Sequence, residues 1–245
     1  MKRSPDRTCG SSRPKTPEQQ SCLTLHRTRH LFIRQQTSVI NVIRAHLAEF
    51  GIVAPVGRNG VKQLLGVVAD GSDKRLPEVA RACVAVLGTQ LRALKAQILE
   101  FDRRITAWHR SNEVSKRLDA IPGIGPALAT ALVASVADPK MFRSGRDFSA
   151  WIGLVPKQNS SGGKDRLGHI SKRGDRYLRS LFTAGALAVI RYAKIHGTKR
   201  PWLTALLARR PTKVAAIALA NKIARMAWAM MVRGERYKEP AALAA

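Results

Sequence analysis

The sequence predicts a mostly all-α fold, in which a long, coiled-coil-like helical hairpin precedes a compact helical domain with a helix-hairpin-helix motif. Two observations lead to this prediction. No stretch of convincing strand length alternates between polar and apolar residues, as a half-buried β-strand would. In addition, seven apolar residues follow one another at alternating intervals of four and three, the heptad spacing of a helix with one buried seam: Leu87, Leu91, Leu94, Ile98, Phe101, Ile105 and Trp108.

The composition of the N-terminal segment predicts that it forms no stable structure. Residues 1–25 are rich in Ser, Pro, Arg, Thr and Gln and contain few apolar side chains. Such a segment buries too little apolar surface to offset the conformational entropy that ordering costs. We therefore expect a disordered, basic tail over residues 1–25.

A helical linker region is expected over residues 26–113. Apolar residues at the spacing of one helix face predict a first helix over 30–50: Val39, Ile40, Ile43, Leu47 and Phe50. A short helix is predicted over 61–68. The heptad seam, extended back to Ala80, covers about 29 residues or roughly 44 Å, so another helix must cover it. We expect the first helix to pair with it as an antiparallel hairpin, and a second copy of the chain to join it in a homo-oligomer.

A compact domain over residues 114–237 follows, with short helices joined by glycine turns. Residues 121–126 read IPGIGP, in which Pro126 suits the first position of a new helix. This is the layout of a helix-hairpin-helix, whose turn aims the N–H groups of Gly123 and Gly125 at a nucleic-acid phosphate. A tight helix connection without a ligand is the alternative.

The rest of this domain is also predicted to be helical, with one exception. Helices are expected over 126–136, 147–152, 175–194 and 212–232, and a short β-hairpin is allowed around 154–170. Residues 238–245 are expected to form a disordered tail.

Charge limits the function classes. The chain has 43 Lys and Arg residues against 16 Asp and Glu, a formal net charge of +27. No carboxylate occurs between Asp175 and Glu235, whereas twelve basic residues do. A compact chain of this charge repels itself unless a counter-charge is bound, so we expect a polyanionic partner and favour nucleic acid.

Membrane and secreted classes are disfavoured. The longest apolar helical stretch is interrupted by Lys222 and Arg225, so no run approaches the roughly 18 residues that span a bilayer. The first residues lack the apolar segment of a secretion signal. Three widely spaced cysteines, Cys9, Cys22 and Cys83, form an odd set that suits a reducing compartment. We expect a cytoplasmic, nucleoid-associated protein with no membrane partner.

The basic segment over residues 156–179 carries the candidate chemistry. Flexible glycines let backbone N–H groups approach a phosphate, cations neutralise it, and a hydroxyl among them can attack it. The candidate nucleophiles are Ser160 and Ser161, of which Ser161 directly precedes the paired glycines. The candidate phosphate contacts are Lys157, Gly162, Gly163, Lys164, Arg166, Lys172, Arg173, Arg176 and Arg179. From composition alone, a flexible connector with a solvated cationic face is the alternative.

Four motifs occur in order along the chain: IPGIGP at 121–126, FSAWIGLVP at 148–156, NSSGG at 159–163 and GHISKRGDRYLR at 168–179. In this order they resemble the C-terminal domain of the insertion-sequence transposases with an N-terminal four-carboxylate (DEDD) resolvase-like domain, some of which are bridge-RNA-guided recombinases. The resemblance covers about residues 25–237. It implies DNA transposition, a guide RNA as a further partner, and Ser161 as the residue that attacks a DNA phosphate.

The chain also departs from this family. There, four carboxylates preceding the matching region hold divalent metal, yet the first 29 residues contain only Asp6 and Glu18. Two carboxylates in such a tail cannot fix a pair of magnesium ions, which need several oxygen ligands. We therefore expect a truncated copy without a metal site or cofactor of its own, in which magnesium comes only with the missing domain and which does not transpose alone. The alternative from another class is a non-enzymatic, architectural nucleic-acid-binding protein.

Overall fold

The structure, a computed structural model, describes residues 14–161, 163–164, 166–197 and 200–238. Within these residues helices dominate and the one sheet has two short strands, which confirms the mostly all-α fold class. The helices are α1 Pro17–Ala48, α2 Arg58–Ala69, α3 Glu78–Ser111, α4 Glu113–Asp119, α5 Pro126–Ser135, α6 Gly145–Ile152, α7 Arg176–His196, α8 Pro201–Arg209 and α9 Thr212–Arg233. The strands are β1 Pro156–Gln158 and β2 Leu167–Ile170, and a 3-10 turn lies at Pro139–Met141.

The contacts group the chain into two compact units. One comprises residues 24–104, and the other comprises the described residues of 14–23 and 105–238. The domain boundaries predicted after residues 25 and 113 stay predictions. Most of the predicted tail over 238–245 lies outside the described residues, as do residues 1–13.

In the unit of residues 24–104, α1 and α3 run antiparallel. Phe32 packs edge-to-face on Phe101 with ring centroids 5.5 Å apart, and Arg29 Nε lies 2.6 Å from Asp102 Oδ1. Further along the pair, both helices share a buried core with α2: Val39, Ile43, Leu47, Ile52, Val61, Leu64, Val68, Leu76, Val84, Leu91 and Leu94. The helical hairpin expected from the heptad seam is therefore present as a packed pair, while its coiled-coil character and self-association stay predictions.

The N-terminal tail is shorter than predicted, because α1 begins at Pro17. Thr16 and Gln19 form a capping box: the Gln19 N–H donates to Thr16 Oγ1 at 3.2 Å, and the Thr16 N–H donates to Gln19 Oε1 at 3.1 Å. Cys22, one turn further on, is fully buried. The prediction of disorder is therefore wrong for residues 17–25, since it rested on composition and missed this helix-start signal.

The other unit is built around α9, which packs against α6 and α7. Small and apolar residues of α9 form much of its core: Ala215, Ala216, Leu219, Ala220, Ile223, Ala224, Ala227 and Met230. In the described part of the chain, α9 is the one helix long and apolar enough to cross a membrane, which corrects the expectation that no run approaches this length. Its packing in the core accounts for this apolar character.

Candidate nucleic-acid interface

The predicted basic segment folds into a β-hairpin. β1 and β2 pair antiparallel, with Pro156 opposite Ile170. At the far end, the Lys164 N–H donates to the Ser161 carbonyl at 3.1 Å and closes the turn. Residues 156–161 are all exposed, so β1 shows none of the alternation that reveals a half-buried sheet. In β2, exposed residues alternate with half-buried ones. The hairpin therefore carries its serines and cations into solvent.

The two candidate serines differ in what their hydroxyls contact. Ser160 Oγ accepts hydrogen bonds from the Arg166 N–H at 3.0 Å and from Gln158 Nε2 at 3.2 Å, so it helps to hold the hairpin together. Ser161 is exposed at the turn. Nearby Gly163 has a φ of 75° and open space where a side chain would be. Of the two hydroxyls, that of Ser161 is the better presented to an approaching strand.

The hairpin starts from a tightly built junction between the end of α6 and the segment before α7. Gly153 and Gly174 both have left-handed backbones, with φ of 84° and 95°. A Cβ on Gly153 would lie 2.0 Å from the Arg173 carbonyl oxygen, and one on Gly174 would lie 1.7 Å from the Trp151 carbonyl oxygen. Neither position accepts a side chain without moving the backbone. We call this region the hairpin base: residues 151–153, residues 171–174 and Arg179.

Arg179 and Asp175 fix the hairpin base to α7. Half-buried Arg179 donates through Nη1 to the Ile152 carbonyl at 2.8 Å, so its guanidinium serves the fold at a site where the sequence predicts a phosphate contact. Asp175 Oδ1 accepts from the N–H groups of Tyr177 at 2.7 Å and Leu178 at 3.0 Å, and thereby caps the start of α7. Sequence reasoning missed the first role because the carbonyl that Arg179 binds lies far away along the chain.

The other predicted cations have exposed side chains: Lys157, Lys164 and Arg166 on the hairpin, Lys172 and Arg173 in the hairpin base, and Arg176 at the start of α7. Lys172 turns the chain out of the hairpin with a φ of 55°, a left-handed conformation that is uncommon for a residue with a side chain. Gly162 lies outside the described residues. The structure thus places the two serines, Lys157, Lys164 and Arg166 on the exposed hairpin, and the contacts of all these cations with phosphate stay predictions.

The turn between α4 and α5 is a separate predicted contact. Gly123 packs inward with a φ of 96°: a Cβ there would lie 2.9 Å from Ile223 Cδ1 and 3.2 Å from the Gly185 carbonyl oxygen. Gly125, the N-cap of α5, is exposed. The Gly123 side of the turn therefore serves helix packing, and the phosphate-binding role of this helix-hairpin-helix stays a prediction for both glycines.

The described residues do not fit the magnesium pair that the resemblance implies for the family. Across residues 14–161, 163–164, 166–197 and 200–238, no group of three or more His, Cys, Asp or Glu residues is placed to hold a metal ion. At the hairpin, the charged side chains that the structure describes are the cations Lys157, Lys164 and Arg166, whose field opposes a bound metal.

The sequence profile of the transposase family IS116/IS110/IS902 matches residues 115–201, which include the α4–α5 turn, the hairpin and α7. A Pseudomonas aeruginosa protein named as a family 20 transposase is 43% identical over 226 residues, which cover 91% of this chain and 67% of that protein. The chain belongs to the IS116/IS110/IS902 transposase family. All four sequence motifs fall within the matched range, which confirms the resemblance to insertion-sequence transposases. The guide RNA, the carboxylate domain and the truncation stay predictions.

Two further relatives of this transposase-family chain give the same result. A Sinorhizobium fredii protein named as the transposase y4pF/y4sB is 44% identical over 92% of this chain and 58% of its own length. The transposase for insertion sequence element IS1111A of Coxiella burnetii is 36% identical over 91% of this chain and 62% of its own length. The chain thus spans about 58–67% of the length of these three relatives.

Proposed function

We propose that this chain is a DNA-strand-transfer domain of an insertion-sequence transposase, with Ser161 as its nucleophile. The observation that carries the proposal is the exposed hairpin, which presents Ser161 beside Gly163 and among cations. The tightly packed hairpin base supports a fixed direction of presentation. Membership of the transposase family supports DNA transposition as the process and DNA as the substrate.

The proposed step is a transesterification at phosphorus. A bond forms between Ser161 Oγ and a DNA phosphorus atom, while the bond from that phosphorus to the ester oxygen of the leaving strand breaks. The leaving oxygen keeps the electron pair and takes up a proton, and the serine proton passes to solvent at the exposed turn. One phosphate ester replaces another, so the step needs no oxidant or reductant.

The cations of the hairpin supply the electrostatic part of this step. Negative charge develops on the non-bridging oxygens of the phosphate, and donors already in place there lower the barrier. Arg166 offers a planar fork that suits two phosphate oxygens, whereas Lys164 offers a point charge. Ser160 acts as a positioning residue, because its hydroxyl holds the Arg166 backbone.

A covalent-adduct assay on serine variants tests the proposal. The purified chain is incubated with DNA carrying the ends of its element, alone and with an intact family member and a guide RNA, and protein–DNA adducts are resolved on denaturing gels. We expect Ser161→Ala to abolish adducts of this chain and Ser160→Ala to reduce them only partly. Circular dichroism of both variants checks that the helices are retained.

Each outcome of this assay has a definite meaning. Adducts that persist in Ser161→Ala would remove Ser161 from the role. Adducts that require the intact family member would support the predicted need for a separate carboxylate domain, and a requirement for guide RNA would support bridge-RNA guidance. If the wild-type chain forms no adduct in any arm, non-enzymatic coating of DNA by the exposed cations becomes the better account.

A further inference from the structure

A groove is lined by residues of α6, α8 and α9. Its volume is about 580 Å³, and its walls include Gly145, Trp202, Asn221, Lys222 and Arg225. None of the described residues that line it is acidic. Gly145 lets α6 approach α9 closely, since a Cβ there would lie 3.2 Å from the Arg225 Cα. The groove is therefore a built, positively charged concavity that the hairpin chemistry does not use.

The side chains of this groove suit an unpaired nucleotide. Trp202 remains 40% exposed, and Lys222 Nζ lies over its ring at 4.5 Å from the centroid in a cation–π contact. Lys222 and Arg225 are three apart on α9, so both exposed cations project from the same face of the helix. An exposed aromatic ring with adjacent cations is the combination by which proteins bind single strands, with the base stacked and the phosphate neutralised.

A second tryptophan in the groove provides an internal contrast. Trp228 Nε1 donates to the Pro139 carbonyl at 3.0 Å, and Trp228 packs against the core. That ring is therefore committed to the fold. Trp202 is the ring in the groove with the larger free surface, which makes it the stacking platform.

A hydrogen bond connects the groove to the residues just before β1. Asn221 Nδ2 donates to the Leu154 carbonyl at 3.4 Å, and Leu154 is fully buried just before β1. Seven residues lead from Leu154 to Ser161, a span of at most about 23 Å in an extended chain. At about 3.4 Å per nucleotide, roughly seven nucleotides cover that span. A strand seated in the groove can therefore reach the exposed serine.

We propose that this groove binds an unpaired nucleotide of the DNA strand on which the hairpin acts, with its base on Trp202 and its phosphates beside Lys222 and Arg225. The base must be unpaired, because the faces of bases within a duplex are covered by stacking. DNA is the occupant because the contact between Asn221 and Leu154 joins the groove to the element that attacks DNA. The inference rests on the proposed function only for the identity of this strand.

Fluorescence anisotropy with three labelled probes of one sequence tests the groove: single-stranded DNA, single-stranded RNA and duplex DNA. The full chain and its variants are titrated into each probe. We expect Trp202→Ala to weaken single-stranded DNA binding about tenfold or more and duplex binding less than twofold, while Trp202→Phe retains most of the affinity. Intrinsic tryptophan fluorescence should be quenched by single-stranded DNA in the wild type, and quenched less in Trp202→Phe, in which exposed Trp151 of the hairpin base remains.

Charge variants provide the matched control. Lys222→Gln and Arg225→Gln should each weaken single-stranded DNA binding more than Lys213→Gln, which removes an exposed cation from the same helix outside the groove lining. Equal effects of the three variants would overturn the proposal. These variants also keep the test valid should Trp202→Ala fail to fold.

The remaining outcomes separate this inference from the proposed function. Unchanged single-stranded DNA binding by Trp202→Ala would overturn the groove site, as would an equal loss on duplex DNA. A dependence on Trp202 seen with RNA and not with DNA would overturn the choice of DNA. Ser161→Ala should keep the Trp202-dependent binding of single-stranded DNA. The binding test of the groove is therefore independent of the adduct assay.

Discussion

At the scale of single residues, the contact between Gly185 and Gly123 joins α7 to the α4–α5 turn. A Cβ on Gly185 would lie 1.9 Å from the Gly123 carbonyl oxygen. We expect Gly185→Ala to lower the free energy of unfolding by about 1–3 kcal/mol, as at other overpacked sites, although alanine favours a helix. Gly66→Ala on α2 has open space and should raise it by up to about 1 kcal/mol. Thermal melts of both variants measure these shifts, and a stabilised Gly185→Ala would contradict the close contact.

The cysteines give a pH-dependent prediction at the same scale. Burial raises the pKa of the Cys22 thiol to about 11, against an ordinary 9.0. Between these pH values the folded chain keeps a proton that the unfolded chain has lost. The stabilising contribution is therefore complete below pH 9 and falls as the pH rises towards 11. Melts at pH 8 and pH 10.5 should show a larger loss for the wild type than for Cys22→Ala.

Alkylation provides the independent check on this cysteine. Cys83 is exposed and Cys22 is buried. In a Cys9→Ser background, iodoacetamide at pH 8 should modify Cys83 at least tenfold faster than Cys22, because the thiolate is the reactive form and Cys22 is both shielded and protonated. Comparable rates, read by mass spectrometry, would show that Cys22 is accessible and that its predicted effect on stability has no basis.

At the scale of elements, α7 depends on its cap for a defined start next to the hairpin base. Asp175 satisfies two N–H groups of the first turn, and Asp175→Ala leaves them without this acceptor. We expect that variant to lose about 1 kcal/mol of stability and Asp175→Asn to lose much less, since asparagine caps equally well. Thermal melting separates the two, and equal losses would mean that the charge, and not the cap, stabilises this end.

The helices were largely predictable because their signals are local. The heptad seam of α3 repeats over many turns, and α5 begins at Pro126, as the sequence predicts. α8 was missed although Pro201 gives the same start signal. The capping box of Thr16 and Gln19 was missed because the polar composition of the surrounding residues indicated disorder, whereas the capping box involves only two side chains.

The candidate site was predictable only in outline. The sequence shows that serines, glycines and cations lie together, but neighbouring Ser160 and Ser161 have nearly the same local surroundings. Only the folded hairpin shows that the Ser160 hydroxyl accepts the Arg166 N–H. The structural role of Arg179 likewise depends on a carbonyl of another helix, and no periodicity reports such a contact.

At the scale of the whole molecule, the net charge of +27 predicts salt-dependent binding to DNA. Each phosphate contact releases counterions and contributes about −0.9 to the slope of log K against log salt. If Lys157, Lys164 and Arg166 all contact phosphate, replacing the three by Gln should reduce the magnitude of the slope by about 3. Duplex binding measured by anisotropy at increasing salt concentrations gives the slope directly.

A control of equal charge distinguishes hairpin contacts from general attraction. Exposed lysines of the other unit supply it, in a variant with Gln at three positions: Lys62, Lys74 and Lys95. This variant should change the slope by less than one. If both triple variants lower it equally, the whole surface attracts DNA and the hairpin has no special part in binding.

Mutations in the hairpin base and mutations in the hairpin turn are expected to have different effects: the first destabilise the fold, and the second leave it intact. Its glycines and Arg179 belong to the packed unit, whereas the turn that carries Ser161 lies in solvent. A copy that loses the serine would therefore keep its fold and, under the proposed function, its contacts with the ends of the element. Such silent copies would compete with active ones for the same ends, so accumulated decay would restrain the mobility of the whole group within a genome.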